Sequence, residues 1–103
     1  MLLKDYLLNV ETLVKNYGAA YGRIAPTHIL LFGIKGYVKL GSIDINTYEL
    51  PIIDFRDNQY YSKKLSDNKK TELENMNIIS INAFTYGILE IYLDNRNITY
   101  KKE

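Results

Sequence analysis

The residues of this chain that are able to do acid–base chemistry are few. His28 is the only histidine, and the chain has no cysteine to act as a nucleophile or a thiolate ligand. A general acid or base role for His28 would need Asp44 or Glu90 beside it in the fold. A histidine at the start of a strand is more often a solvated or hydrogen-bonded residue. No Gly-x-Ser-x-Gly elbow accompanies it, so the sequence predicts a protein that is not an enzyme.

The acidic residues do not form a recognisable metal site. They are scattered singly along the chain, without a pair at ligand spacing or a calcium-loop pattern. Glu72 and Glu74 lie two residues apart, a spacing that makes side chains diverge on a helix. We therefore expect no metal and no cofactor.

A glycine motif occurs between two apolar runs. Gly33-Ile34-Lys35-Gly36 has the form G-x-x-G with a basic residue inside it. The motif resembles the backbone-clamping loop of KH-type RNA-binding domains, although that family places the loop between two helices. Two glycines that flank a hairpin turn explain the same pattern. On the nucleic-acid alternative, Lys35, Tyr37 and Lys39 would contact the ligand.

Tyrosine is unusually abundant, with ten residues in a chain that has no tryptophan. Tyrosines with lysines nearby would stack on bases, would act as hot spots of a protein interface, or would simply fill the edge of the core. One stretch is dense in such side chains and poor in core-forming residues. We predict that the partner binds there, at Arg56, Asp57, Tyr60, Tyr61, Lys63 and Lys64.

The elements that would position these side chains are organised around residues 29–45. Two strands, Ile29–Phe32 and Tyr37–Ile45, are predicted with a tight turn between them. Gly33 and Gly36 would supply the positive φ angles that a hairpin needs. The apolar residues of the second strand change parity at Gly41. A β-bulge there would bring the pairs on either side to the core face, namely Val38 and Leu40, and Ile43 and Ile45.

The remaining elements follow from periodicity and turn residues. An apolar stripe at helical spacing over residues 1–17 predicts a helix that ends at Gly18. Capping residues predict a short helix near 67–75, with a polar loop as the alternative. The other predicted strands are Tyr48–Phe55 with Pro51 marking an edge, a short return strand or loop at Tyr60–Leu65, Ile79–Phe84, Leu89–Leu93 and Ile98–Tyr100.

These elements predict one α+β domain over residues 1–103. We expect a mainly antiparallel β-sheet of about five to six strands with the N-terminal amphipathic helix packed on one face. Connections of hairpin length would exclude parallel strand pairs. A second core does not fit in 103 residues.

Composition narrows the function without identifying a mechanism. Thirteen Lys and Arg balance twelve Asp and Glu, so charge alone does not indicate a nucleic acid. The sequence shows no secretion signal or membrane-spanning run, and we expect a cytoplasmic protein. Its many Tyr, Asn, Ile and Lys residues have A- and T-rich codons, as in an AT-rich cell, a phage or a mobile element.

The predicted function is therefore that of a non-enzymatic small binding protein with a protein partner. The most specific expectation is an inhibitor of a host defence protein, such as an anti-CRISPR-type nuclease inhibitor. The alternatives are a sheet-based nucleic-acid-binding module, and a structural or oligomerising subunit that would form a homodimer.

Overall fold

The computed structural model describes residues 1–9, 28–45, 53–57, 63–83 and 88–96, which form a five-stranded mixed sheet and two helices. The sheet order is β3-β2-β1-β5-β4. This architecture confirms the predicted α+β class with a β-sheet. The elements are α1 (residues 3–9), β1 (His28–Gly33), β2 (Lys39–Ile45), β3 (Ile53–Arg56), α2 (Asp67–Glu74), β4 (Ile78–Ala83) and β5 (Ile88–Leu93).

The pairing of β1 with β5 is parallel, whereas the other three strand pairs are antiparallel. The expectation that parallel pairs are excluded was therefore wrong. It assumed that consecutive strands are neighbours, but β3 and β4 lie at opposite edges of the sheet. The chain segment that contains α2 joins those two edges, and β5 then returns beside β1. A connection of this length permits the parallel pair in the middle of the sheet.

The core lies on one face of the sheet. Residues of β1 and β5 alternate between buried and partly exposed positions, as expected for strands with one covered face. Both helices contribute to the same buried cluster, so they cover this face. The members of the cluster among the described residues are Leu3, Leu7, Ile29, Leu31, Leu40, Ile43, Ile45, Phe55, Leu73, Met76, Leu89, Ile91 and Leu93.

The second strand of the hairpin contains the predicted irregularity. Leu31 pairs with Gly41 and Phe32 with Lys39, so Leu40 is the extra residue of β2. The bulge lies one residue before the predicted position. It leaves Leu40 buried, while Val38 is 45% exposed and does not join the core. Gly41 remains important, because a Cβ there would come within 3.0 Å of Leu65 and 3.5 Å of Leu73.

Backbone hydrogen bonds hold the N-terminus at the start of α1. The Leu3 N–H donates to the Met76 carbonyl at 2.9 Å, and the Ile78 N–H donates to the Met1 carbonyl at 2.8 Å. Ser66 caps α2, since its hydroxyl accepts a hydrogen bond from the Lys69 N–H at 3.3 Å. The short helix predicted at 67–75 is thereby confirmed.

Some predicted elements lie outside the described residues. They are the second half of the N-terminal helix, most of the strand at Tyr48–Phe55, Tyr60 and Tyr61, and the strand at Ile98–Tyr100. Neither described helix is long and apolar enough to cross a membrane.

We expect the core face to dominate stability. Ile91 is completely buried, and Ile81 lies opposite it in the ladder but is 39% exposed. Ile91→Ala should lower the free energy of unfolding by about 2–5 kcal/mol, because it leaves a cavity. Ile81→Ala is the matched control and should cost about 1 kcal/mol or less. Urea unfolding measures both values, and equal losses would contradict the described burial.

Candidate functional site

The turn between β1 and β2 is fixed to the end of β5 by one buried side chain. Asn95 is 0% exposed. Its Oδ1 accepts a hydrogen bond from the Lys35 N–H at 2.7 Å, and its Nδ2 donates to the Lys35 carbonyl at 3.3 Å. The Ile34 N–H continues the β1–β5 ladder by donating to the Leu93 carbonyl at 3.0 Å. The backbone groups of Ile34 and Lys35 therefore attach the turn, residues 34–38, to Leu93 and Asn95 at the end of β5.

Gly33 makes room for this attachment. A Cβ at this position would overlap the side-chain amide of Asn95. Positive φ angles were predicted for both Gly33 and Gly36, but only Gly36 has one. The physical reason for Gly33 is the close approach of a side chain rather than an unusual backbone conformation.

The residues on either side of Asn95 are also held. The Asp94 carboxylate accepts hydrogen bonds from the Arg96 backbone N–H at 3.2 Å and from its Nε at 2.9 Å. These bonds keep the pKa of Asp94 below its ordinary value. The Asp94 N–H in turn donates to the Asn77 carbonyl at 2.9 Å. Hydrogen bonds therefore fix the backbone on both sides of Asn95.

The tip of the hairpin contains a residue in a strained conformation. Gly36 has a φ of 76° and Tyr37 a φ of 50°, which are the two consecutive positive φ angles of type I′ turns. Glycine, asparagine and aspartate dominate such positions, and an aromatic residue is uncommon there. The Tyr37 side chain is nevertheless 77% exposed. The fold therefore exposes the aromatic ring of Tyr37 to solvent although the backbone conformation of this residue is unfavourable for tyrosine.

Two further aromatic rings lie on the face of the sheet opposite the core. Phe32 and Tyr92 stack with their ring centroids 5.4 Å apart. Burial raises the pKa of Tyr92 above its ordinary value, and Glu90 and Tyr37 raise it further. The Tyr92 hydroxyl donates a hydrogen bond to the Glu90 carboxylate at 3.4 Å. We call Phe32, Tyr37 and Tyr92 the aromatic patch.

A cavity of about 520 Å³ opens between the hairpin and α2. Three of its lining residues are lysines, from the turn, from β2 and from α2. Lys69 forms an ion pair with Glu72 at 4.0 Å. No acidic residue appears among the described residues that line this cavity. We call it the lysine pocket, and its described lining is Lys35, Gly36, Val38, Lys39, Leu40 and Lys69.

Part of the cluster predicted to bind a partner is brought together at the β3 edge. Arg56 Nη2 lies 2.6 Å from an oxygen of Asp54, and Lys64 Nζ lies 3.8 Å from the other carboxylate oxygen. The Asp57 N–H donates to the Lys63 carbonyl at 2.8 Å. Arg56 and Lys64 also form a β-bridge. The structure thus joins Arg56, Asp57, Lys63 and Lys64, whereas Tyr60 and Tyr61 lie outside the described residues.

The single histidine does face one of its proposed partners. His28 Nε2 lies 3.7 Å from Asp44 Oδ1 across the β1–β2 pair. The side chains are 35% and 46% exposed. Glu90 lies opposite Leu30 rather than His28 in the β1–β5 register. The pair is therefore partly exposed on the face of the sheet opposite the core, and neither residue is among the described residues of the lysine pocket.

Sequence reasoning missed Asn95 and Lys69. Asn95 belongs to Asp94-Asn95-Arg96-Asn97, which reads as ordinary turn chemistry. Lys69 is one of two lysines in a polar helix. Neither residue could be recognised as part of a site without knowing that β5 lies beside β1 and that α2 lies close to the turn.

Comparison with protein-family models, curated proteins and solved structures gives no significant match to this chain. The function must therefore be argued from the chemistry of these surfaces.

We expect Gly33 and Asn95 to be energetically coupled. Asn95→Ala removes two hydrogen bonds to Lys35 and should cost about 1–3 kcal/mol. Gly33→Ala should cost a similar amount, about 1–3 kcal/mol, through overpacking. In the double variant the added methyl group occupies the space that the amide leaves, so the loss should be smaller than the sum of the single losses.

Chemical denaturation of the four proteins measures this coupling. Asn82→Ala, at an exposed position of β4, is the control and should change stability by about 0.5 kcal/mol or less. Strict additivity of Gly33→Ala and Asn95→Ala would contradict the proposed contact.

Proposed function

We propose that this chain is a non-enzymatic binding protein that contacts a protein partner through the aromatic patch. The observation that carries the proposal is Tyr37, whose ring is 77% exposed on a backbone with a φ of 50°. Strain of this kind often marks positions that are retained for function. Tyrosine is also among the residues enriched at interface hot spots.

The rigidity of the turn strengthens this proposal. Asn95 fixes Lys35, two residues before Tyr37, through hydrogen bonds of 2.7 and 3.3 Å. A side chain presented on a fixed backbone loses little conformational entropy on binding. The stacked rings of Phe32 and Tyr92 extend the same surface onto the sheet, where the described helices provide no cover because they pack on the other face.

The charges around the aromatic patch favour a protein over a nucleic acid at this surface. Surfaces that stack bases combine aromatic rings with a positively charged groove. Here the charge beside the stacked rings is mixed, because the Glu90 carboxylate accepts a hydrogen bond from Tyr92 and Lys39 pairs with Phe32 across the hairpin. A phosphate backbone would meet negative charge beside the stacked rings. A polypeptide partner can instead donate hydrogen bonds to Glu90.

Inhibition of a host defence protein is a narrower form of this proposal. Its support is the small size, balanced charge and residue composition of the chain. Covering a working surface of another protein needs a rigid, exposed contact, and the aromatic patch would supply one. The anti-CRISPR-type activity itself stays a prediction.

The Tyr37→Asn variant should be more stable than the unmodified chain but should bind the partner more weakly. Asparagine tolerates positive φ better than tyrosine, so the free energy of unfolding should rise by up to about 1 kcal/mol. Loss of the ring should remove an interface anchor and weaken partner binding by at least about tenfold. Thermal unfolding measures the first effect. Quantitative affinity capture from a nuclease-treated cell lysate, with mass spectrometry of the retained proteins, measures the second.

Lys64→Ser at the β3 edge is the matched control for the capture experiment. Proteins that depend on the aromatic patch should be retained by Lys64→Ser and lost with Tyr37→Asn. Retention by Tyr37→Asn with loss by Lys64→Ser would move the interface to the β3 edge. Retained proteins that disappear on nuclease treatment would support the nucleic-acid alternative instead.

A further inference from the structure

The two edges of the described sheet are protected to different degrees. At one edge, β3 carries the charged residues Asp54 and Arg56, and residues 63–65 follow its outer side through two backbone hydrogen bonds. At the other edge, the Ile78 N–H donates to the Met1 carbonyl at 2.8 Å, which covers the first residue of β4. Past Ile78, the described part of the chain provides no further strand on the outer side of β4.

The middle of β4 is exposed on both faces of the sheet. Ile81 lies opposite the buried Ile91, on the core side, and is still 39% exposed. Ser80 and Asn82 lie opposite Tyr92 and Glu90, on the other face, and are exposed as well. An edge strand with exposed isoleucine and free backbone groups is a template for pairing with another strand.

The usual devices that block such pairing are missing from β4. Proteins protect exposed edges with charged side chains, especially lysine, or with proline. Residues 75–89 contain neither a charged residue nor a proline, and they are the longest uncharged segment of a chain in which 24% of the residues are charged. The bulge between Ile78 and Ser80 lies at the end of the strand that Met1 already covers.

We propose that β4 pairs antiparallel with β4 of a second copy of this chain, so that the two sheets join into one. Around a two-fold axis, the residue at the centre of the strand lies opposite its own copy. A charge at that position would be repelled by itself, and β4 carries none. Selection of a different protein strand would gain from opposite charges, which β4 does not offer.

The contact with Met1 sets the register of this pair. Because Met1 occupies the outer side at Ile78, the residues left for pairing are 79–83, with Ile81 at their centre. An antiparallel pair centred there places Ile81 beside Ile81 of the second copy on the core side. Ser80 then lies beside Asn82 of the second copy on the other face, where hydroxyl and amide can form a hydrogen bond.

The dimer would be weak and would present two aromatic patches together. A short edge pair buries little surface, so we expect a dissociation constant of about 1 µM or weaker. The two-fold axis is perpendicular to the joined sheet, and both copies therefore turn the face opposite the core in the same direction. The pairing itself does not depend on the proposed protein partner, because no residue of the aromatic patch belongs to β4.

The test is sedimentation equilibrium of the full chain between about 1 µM and 1 mM. The unmodified chain should change from monomer to dimer as its concentration rises. Ile81→Lys and Ile81→Glu should each weaken association by at least about tenfold, because like charges then meet at the axis. An equimolar mixture of the two variants should associate at least about tenfold more tightly than either variant alone.

Ile88→Lys is the matched control. Ile88 is 38% exposed, almost the same as Ile81, but it belongs to β5, which lies inside the sheet. This variant should dimerise as the unmodified chain does. Urea unfolding at low protein concentration, where the chain is monomeric, shows whether each variant is folded independently of its association. Tyr37→Asn should also dimerise normally, so failure of the proposed partner contact is distinguishable from failure of the dimer.

Amide hydrogen exchange identifies what covers the edge. The amides of residues 79–83 that are not bonded to β5 should become protected as protein concentration rises. Equal protection at the lowest concentration would show that a segment of the same chain covers β4, and it would overturn the proposal. A monomer at every concentration, species larger than a dimer, or a mixture that associates no better than its components would overturn it too.

Discussion

The two hydrogen bonds between the Asn95 amide and the backbone of Lys35 connect the centre of the sheet to the turn between β1 and β2. They continue the parallel pairing of β1 and β5 beyond the last paired residues, Gly33 and Leu93. A side-chain amide can replace a backbone segment here because it offers one donor and one acceptor. The absence of a side chain at Gly33 makes the approach possible. The aromatic patch and the lysine pocket both depend on the position of this turn.

Local patterns were sufficient to predict most of the secondary structure. The alternation of Leu89, Ile91 and Leu93 predicted β5, and the capping residues before Asp67 predicted α2. Both signals arise from neighbours in the sequence, so they need no knowledge of the fold. The parallel pair was missed because it joins segments about sixty residues apart. No residue of β1 indicates whether the strand on the side away from β2 is parallel or antiparallel to it.

The site was less predictable than the fold for the same reason. Lys35, Tyr37 and Lys39 were recognised as a group because they are close in sequence. Lys69 and Asn95 join them only through tertiary structure. The roles of the turn residues were also predicted only in part. Gly33 was expected to have a positive φ angle but instead makes room for Asn95, and Tyr37 has a positive φ angle beside Gly36. Composition indicates a turn at this position, but it does not indicate which residue bears the strain.

One hairpin contributes to two neighbouring surfaces, and this limits what can bind at either. Phe32 and Tyr92 lie on the face opposite the core, beside Glu90, whereas Lys35, Lys39 and Lys69 line the pocket next to α2. Lys39 connects the two surfaces, because it also pairs with Phe32 across the hairpin. Because the same fixed turn contributes Lys35 to the pocket and Tyr37 to the aromatic patch, a protein bound at the rings would lie close to the lysines, and its own charges would have to be complementary to both surfaces.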